Sequence, residues 1–209
     1  RSGSTYPVRE GKGLVFSMKY ILAIDQSTSG TKALLFDEDA RLIGRSDLPH
    51  KQKISENGWV AHDPMEIWEN TKGVARAIIE KTGINKDEVI GIGISNQRET
   101  ALVWDRDTGL PVYDAIVWQC ARGAKICEGL SDYAEMVREH TGLRLSPYFS
   151  AAKIAWVLQN AGDLSGRHLC CGTIDSWLVF KMTHGKEFRC DYSNASRTQL
   201  FNIRTLSWD

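Results

Sequence analysis

The stretch from Tyr20 to Phe36 constrains this chain most. Two short apolar runs, Tyr20-Ile21-Leu22-Ala23-Ile24 and Ala33-Leu34-Leu35-Phe36, flank one polar turn, Asp25-Gln26-Ser27-Thr28-Ser29-Gly30-Thr31-Lys32. Near-continuous apolar runs of this length, bounded by turn residues, read as strands of a buried sheet. Asp37-Glu38-Asp39 makes the next turn, and a third strand begins at Arg41-Leu42-Ile43-Gly44. Three closely spaced strands with tight turns form an antiparallel meander.

A helix follows. Asp63 is placed to cap it, Pro64 suits its first position, and Glu66 has capping-box spacing. Ile67, Trp68, Val74, Ala75, Ile78 and Ile79 recur at helical spacing, and Gly83 stops the pattern. In the next strand, Val89-Ile90-Gly91-Ile92-Gly93-Ile94-Ser95, isoleucines alternate with glycines. Its bare face is expected to admit a helix or ligand closely. Leu102 to Tyr113 reads as a hairpin around Asp107-Thr108-Gly109. Ser150 to Gly162 reads as a helix capped by Ser150, with Ala151, Ile154, Ala155 and Leu158 inward. Leu169 to Thr173 is a further strand, and Ser176 to Phe180 a further helix. The order predicts an α/β domain whose mixed sheet, an antiparallel meander continued by βα units, is flanked by helices. By fold-level analogy this is the ribonuclease-H-like, actin-type ATPase arrangement. Residues 1–17, rich in Ser and Gly and followed by Met18, are expected to be a leader or non-native start and not part of the domain, which is read as 18–209.

Lys plus Arg and Asp plus Glu each number 26, so no basic field argues for nucleic acid or an anionic membrane. No apolar run approaches the roughly 20 residues needed to span a bilayer. The cysteines, Cys120, Cys127, Cys170, Cys171 and Cys190, are odd in number and contain no C-x-x-C pair. Reduced thiols in a cytoplasmic protein are expected, without a disulfide framework or a zinc site.

Four segments could carry chemistry. The Asp25–Lys32 turn offers backbone N–H groups and hydroxyls to a phosphate and a carboxylate to Mg²⁺. It lacks the G-x-x-x-x-G-K-[ST] spacing of a P-loop, and an ordinary polar hairpin turn has the same composition. Asn96-Gln97-Arg98-Glu99 lies at the carboxyl end of the Ile/Gly strand, where open α/β sheets bind ligands. A guanidinium beside a carboxylate suits vicinal hydroxyls, which both donate and accept; a solvated ion pair is the alternative. Trp118, taken alone, reads as core. Tyr148 is expected exposed at the entrance to the Ser150 helix. The polar stretch Asp191 to Arg197 reads on composition as a surface turn.

Together, in order and spacing, these segments resemble the FGGY carbohydrate kinases, and among them the glycerol kinases. Tyr148 to Asn160, including Lys153 and Trp156, is similar to the family's first signature. Asn96-Gln97-Arg98-Glu99-Thr100, Ala115-Ile116-Val117-Trp118-Gln119-Cys120 and Asn194-Ala195-Ser196-Arg197-Thr198 carry further likeness, as do Gly58-Trp59-Val60 and His62 to Trp68. The resemblance runs from about Lys19 to Asp209. It implies that Arg98, Glu99 and Tyr148 hydrogen-bond a polyol and that Trp118 forms the wall against its carbons. It also implies that Asp25 binds Mg²⁺ and that Thr28, Ser29 and Lys32 meet the terminal phosphates of ATP. Two positions depart from the usual pattern: Ser27 stands where glycine is common, and Lys32 where arginine is. The lysine keeps the charge without the planar fork.

The implied reaction moves the γ-phosphoryl group of ATP to glycerol, giving glycerol 3-phosphate. Catalytic assignment is left open, because in the family the base is an aspartate of a second domain that this sequence does not contain. The stretch alone is therefore expected to be inactive. The alternatives are a kinase for another polyol or ketose, such as erythritol, xylulose or ribulose, and a non-catalytic actin-like nucleotide-binding protein. Beyond a small-molecule polyol, no nucleic acid or membrane partner is expected, and a homo-oligomer is among the states the sequence allows.

Overall fold

The computed structural model describes residues 18–209, preceded by two short paired strands, β1 (Val8–Arg9) and β2 (Leu14–Val15). The leader expected over residues 1–17 otherwise lies outside the described residues.

The meander forms as β3 (Tyr20–Gln26), β4 (Gly30–Phe36) and β5 (Leu42–Pro49). Two short strands, β6 (Lys53–Ile54) and β7 (Val60–His62), lead into helix α1 (Pro64–Thr82). Asp63 caps α1 by accepting from the N–H groups of Met65 and Glu66, and Pro64 follows at its first position. Gly83 ends it in the left-handed region at φ 69°, donating to the Ile79 carbonyl. Glu66 does not complete a capping box; its carboxylate accepts from the Lys51 N–H instead. Ile67, Thr71, Val74 and Ile78 form the buried stripe. Val74 and Ile78 pack against Tyr20, Leu22, Ile24, Ala33 and Leu35 of the sheet. Each such aliphatic side chain removed from water contributes about 1.5–3 kcal/mol.

Strand β8 (Val89–Asn96) joins the sheet parallel to β3, giving the order β5-β4-β3-β8. This meander extended by a parallel strand is the mixed sheet expected. The close approach expected on the glycine face of β8 does not occur among the described residues. A Cβ added at Gly91 or Gly93 would meet nothing within 4 Å, and Ile90 and Ile92 are exposed. β8 is the outer strand of the sheet, so little covers it.

A second, antiparallel sheet runs β11-β9-β10-β7-β6, with β9 (Ala101–Asp105), β10 (Ala115–Ile116) and β11 (Leu169–Thr173). The hairpin at Leu102–Tyr113 forms with a short return arm, held by Val112 N–H on the Val103 carbonyl and Asp105 N–H on the Leu110 carbonyl. Asp105 accepts from the N–H groups of Asp107 and Thr108, and these bonds hold its carboxyl below the usual range. Helices α4 (Ser150–Asn160) and α5 (Ile174–Met182) pack on the sheets, while α2 (Ala124–Gly129) packs on α4 and α3 (Ala134–Thr141) on the closing strand pair β12 (Phe201–Asn202) and β13 (Ser207–Trp208), which follows a turn of helix α6 (Tyr192–Ala195).

α4 departs from expectation in two ways. Phe149 occupies the cap position, and Ser150 lies inside the helix with its hydroxyl donated to the Glu99 carbonyl. Its buried residues are Ser150, Ala152, Lys153, Ile154 and Val157, while Leu158 faces solvent. Packing against β9 chose the face, one residue round from the one that spacing suggested.

Candidate functional site

β3 and β8 are parallel and in register to their carboxyl ends, where Gln26 lies beside Asn96. That register sets the polar turn 27–29 and the loop 97–100 next to one another. Polar bonds lock the junction. Gln97 donates its N–H to the Gln26 carbonyl at 2.7 Å and its side-chain amide to Gln26 Oε1 at 3.2 Å. Thr100 Oγ1 donates to Gln97 Oε1 and accepts from the backbone N–H of Trp118, tying the loop after β10 into the same network.

The result is a cleft of about 240 Å³ lined by Asp25, Gln26, Ser27, Thr28, Asn96, Gln97, Arg98, Glu99, Trp118 and Tyr148. Asp25, Thr28, Arg98, Glu99, Trp118 and Tyr148 were expected there from sequence. Arg98 is exposed at the mouth and makes no hydrogen bond or ion pair among the described residues. Glu99 is buried, with left-handed backbone at φ 63°. For a residue with a Cβ that conformation costs about 1–2 kcal/mol, and its surroundings hold it in place.

Trp118 is half-buried and lines the cleft, so its reading as plain core does not hold. Its indole Nε1 donates to Thr28 Oγ1 at 3.0 Å, and its ring lies 5.6 Å from that of Tyr148, which is exposed. Two aromatic faces meeting at an angle make an apolar corner in the cleft that Arg98 and Glu99 also line.

In the turn, Ser27 Oγ donates to the Gly30 carbonyl, and Ser29 Oγ stands 3.4 Å from Ser27 Oγ. Lys32 does not line the cleft. It faces Asp25 across the β3–β4 ladder, and its ammonium pairs with Asp25 Oδ2 at 2.8 Å. Ser29 lines an adjoining concavity with Ser27, Thr28, His50 and Gln52. There His50 donates Nε2–H to the Thr28 carbonyl at 2.9 Å, packed edge to face on His62 at 4.5 Å between ring centroids. Burial pushes both imidazoles below their ordinary pKa, so they are held neutral.

Below Tyr148, Lys153 is fully buried and donates to the carbonyls of Pro147, Tyr148 and Phe149. Burial pulls its pKa down to about 7. Three carbonyl acceptors match the three N–H groups of the ammonium form, and the contact fixes the turn that presents Tyr148.

The expectation that Asp191–Arg197 is only a surface turn is overturned. Asn194 and Asn96 exchange two hydrogen bonds at 3.0 Å, and Arg197 Nε donates to Glu99 Oε1 at 2.5 Å. Nothing local in the sequence signals these pairings. The available signal was the family likeness of Asn194 to Thr198, which marks the stretch without naming its partners.

Elsewhere, a larger cavity of about 640 Å³ between β11, α4 and the β12–β13 pair contains none of the expected site residues. Asp175, Cys190 and Asp191 converge near it, their ligand atoms within 4.8 Å of one another, and burial pushes the Cys190 thiol up to about 12. The five cysteines are free thiols.

Compared with known proteins, residues 20–209 match the FGGY family of carbohydrate kinases, N-terminal domain. The chain is 49% identical over 202 residues to a glycerol kinase of Fusobacterium nucleatum, covering 92% of this chain and 40% of that protein. It is 50% identical over 198 residues to a glycerol kinase of Clostridium beijerinckii, covering 91% and 40%. Among solved structures it is similar to the Plasmodium falciparum glycerol kinase with ADP, at TM-score 0.82 and 38% identity over 92% of this chain and 39% of that one. The xylulose kinase of Lactobacillus acidophilus shares the fold, at TM-score 0.81 and 20% identity over 91% and 38%. The chain thus spans about 40% of the length of the curated relatives it matches. With its ribonuclease-H-like, actin-type fold and the family's pattern running from Tyr20 to its last residue, this chain belongs to the FGGY family of carbohydrate kinases.

Proposed function

We propose that the full-length protein is an ATP-dependent polyol kinase that transfers the γ-phosphoryl group of ATP to glycerol, giving glycerol 3-phosphate. The observation that carries this is the single cleft in which Arg98, Glu99, Trp118 and Tyr148 meet the hydroxyl-rich turn through the Trp118–Thr28 bond. Arg98 donates to polyol oxygens, Glu99 accepts from polyol hydroxyls, the Tyr148 hydroxyl does either, and the carbon chain rests on Trp118. Because Thr28 Oγ1 already accepts from Trp118, its own proton is left for a phosphate oxygen. Ser29 and the turn's N–H groups lie beside it.

Asp25 fits a hard cation. Lys32 takes one carboxylate oxygen, and the side chain is 39% exposed beside the cleft. Asp25 would hold Mg²⁺, which supplies charge neutralisation to the phosphates. Lys32, paired with Asp25, would meet a phosphate oxygen only by giving up that partner. Phosphoryl transfer depends on in-line placement and charge stabilisation, which this half of a site can provide for the acceptor.

The alcohol proton needs a carboxylate base. We place that base, and the adenosine pocket, in a second domain of the longer protein, so residues 18–209 alone bind the polyol without turning it over. Five free thiols and the close likeness to glycerol kinases support a cytoplasmic setting. The test is a panel of polyols and ketoses offered to full-length protein with ATP and Mg²⁺, scored by phosphorylated product. Glycerol is expected to be the best acceptor. Product from erythritol or a pentulose but not glycerol overturns the substrate, and no product from any acceptor favours a non-catalytic nucleotide-binding role.

A further inference from the structure

The polar loop after β11 and α5 has no role in the polyol site as so far described, yet it reaches the centre of it. Three contacts anchor it there. Asp191 caps α6 by accepting from the Asn194 N–H at 2.7 Å, and Asn194 exchanges two hydrogen bonds with Asn96 at the end of β8. The Thr198 carbonyl accepts from the Ala151 N–H at 2.8 Å, fixing the loop to the start of α4. Between these anchors stands Arg197. Its Nε pairs with Glu99 Oε1 at 2.5 Å, and its guanidinium carbon lies 4.9 Å from the Phe149 ring and 5.9 Å from the Tyr148 ring.

Glu99 needs such a partner. Its side chain is only 5% exposed, and a carboxylate so far from water costs free energy unless it is paired. Its left-handed backbone leaves few ways to aim the side chain, and Ser150 already holds its carbonyl. Arg197 binds one carboxylate oxygen through Nε while its planar guanidinium lies over the Phe149 ring, a combination that a lysine ammonium cannot reproduce. The other oxygen, Oε2, is left for a ligand in the cleft.

We propose that Arg197 is a positioning residue of the polyol site: it orients the Glu99 carboxylate and braces Tyr148, without touching the acceptor itself. This rests on the polyol-kinase reading. The experiment is a double-mutant cycle in full-length protein, with Arg197→Ala, Glu99→Gln and the pair, measuring polyol KM, ATP KM, kcat and Tm. Arg197→Ala is expected to raise polyol KM roughly tenfold while ATP KM moves less than about twofold. In the Glu99→Gln background the same change is expected to add little, because the carboxylate it orients is gone. Equal rises in both KM values, or effects of the two substitutions that simply multiply, overturn the proposal. If Arg197→Ala does not fold, Arg197→Lys carries the test. A polyol KM at least about threefold above wild type is expected from loss of the Nε bond and of the planar contact with Phe149, and an unchanged one overturns the proposal. A wild-type enzyme that phosphorylates no polyol overturns the parent reading and this one with it. A wild type that works while the variants keep its polyol KM overturns this one alone.

Discussion

Trp118 and Thr28, 90 positions apart, are joined by a 3.0 Å hydrogen bond from indole to hydroxyl. The bond links the wall of the cleft proposed for the acceptor to the turn proposed for the phosphates. Thr28→Val removes the acceptor and the free hydroxyl together. A bond of this kind contributes about 1 kcal/mol, so polyol and ATP KM are each expected to rise about fivefold in full-length protein. Thr28→Ser is expected to restore both. Steady-state kinetics with each substrate varied in turn checks this, and a rise confined to ATP would show that Trp118 is held by packing alone.

Among the described residues Arg98 has no hydrogen-bond or ion-pair partner at the mouth of the cleft, so its loss leaves no buried charge behind. Arg98→Ala is expected to raise polyol KM by about 10- to 100-fold, the range for hydrogen bonds to charged groups, with Tm nearly unchanged. An unchanged KM would remove Arg98 from the acceptor site.

Gly30 ends the Ser27–Ser29 turn at a position where backbone passes too near for a side chain. A Cβ there would stand 2.7 Å from the Leu48 carbonyl oxygen and 3.2 Å from Pro49 Cα. Gly30→Ala must push β5 away from β4 and is expected to cost about 1–3 kcal/mol. Denaturant melts of the wild-type and variant proteins measure it; equal midpoints would mean that the strands give way freely.

The neutral imidazoles of His50 and His62 make stability depend on pH. Burial lowers both folded-state pKa values below the ordinary 6.5, so the unfolded chain binds protons first as pH falls. Stability is expected to be intact above that value and to decline below it, until the folded pKa values are passed. Thermal melts between pH 7.5 and 5.5 should show Tm falling. His50→Gln, which keeps a side-chain N–H for the Thr28 carbonyl, should flatten the decline.

Much of the fold was legible because its signals are local. Asp63, Pro64 and Gly83 mark the ends of α1 by capping chemistry that acts within one helical turn. The strands at Tyr20–Gln26, Gly30–Phe36 and Leu169–Thr173 follow from short apolar runs between turn residues. The residue types of the cleft were legible too, since Arg98, Glu99, Trp118 and Tyr148 stand in short motifs whose order is the family's.

What the chain alone determined, then, is the succession of elements, the family and the chemical kinds of group that line the cleft. Tertiary structure decided how those groups are partnered. The β3–β4 register set Lys32 on Asp25, and the edge position of β8 left its glycine face open. Trp118 became a cleft wall with its N–H on Thr28 and its ring packed against the core. Arg197, read as part of a surface turn, became the partner of Glu99 across 98 positions. Capping and periodicity act over a few residues and can be read along the chain. Pairing of buried charge is set by which distant segments the sheet and helices bring together, and no local pattern records it.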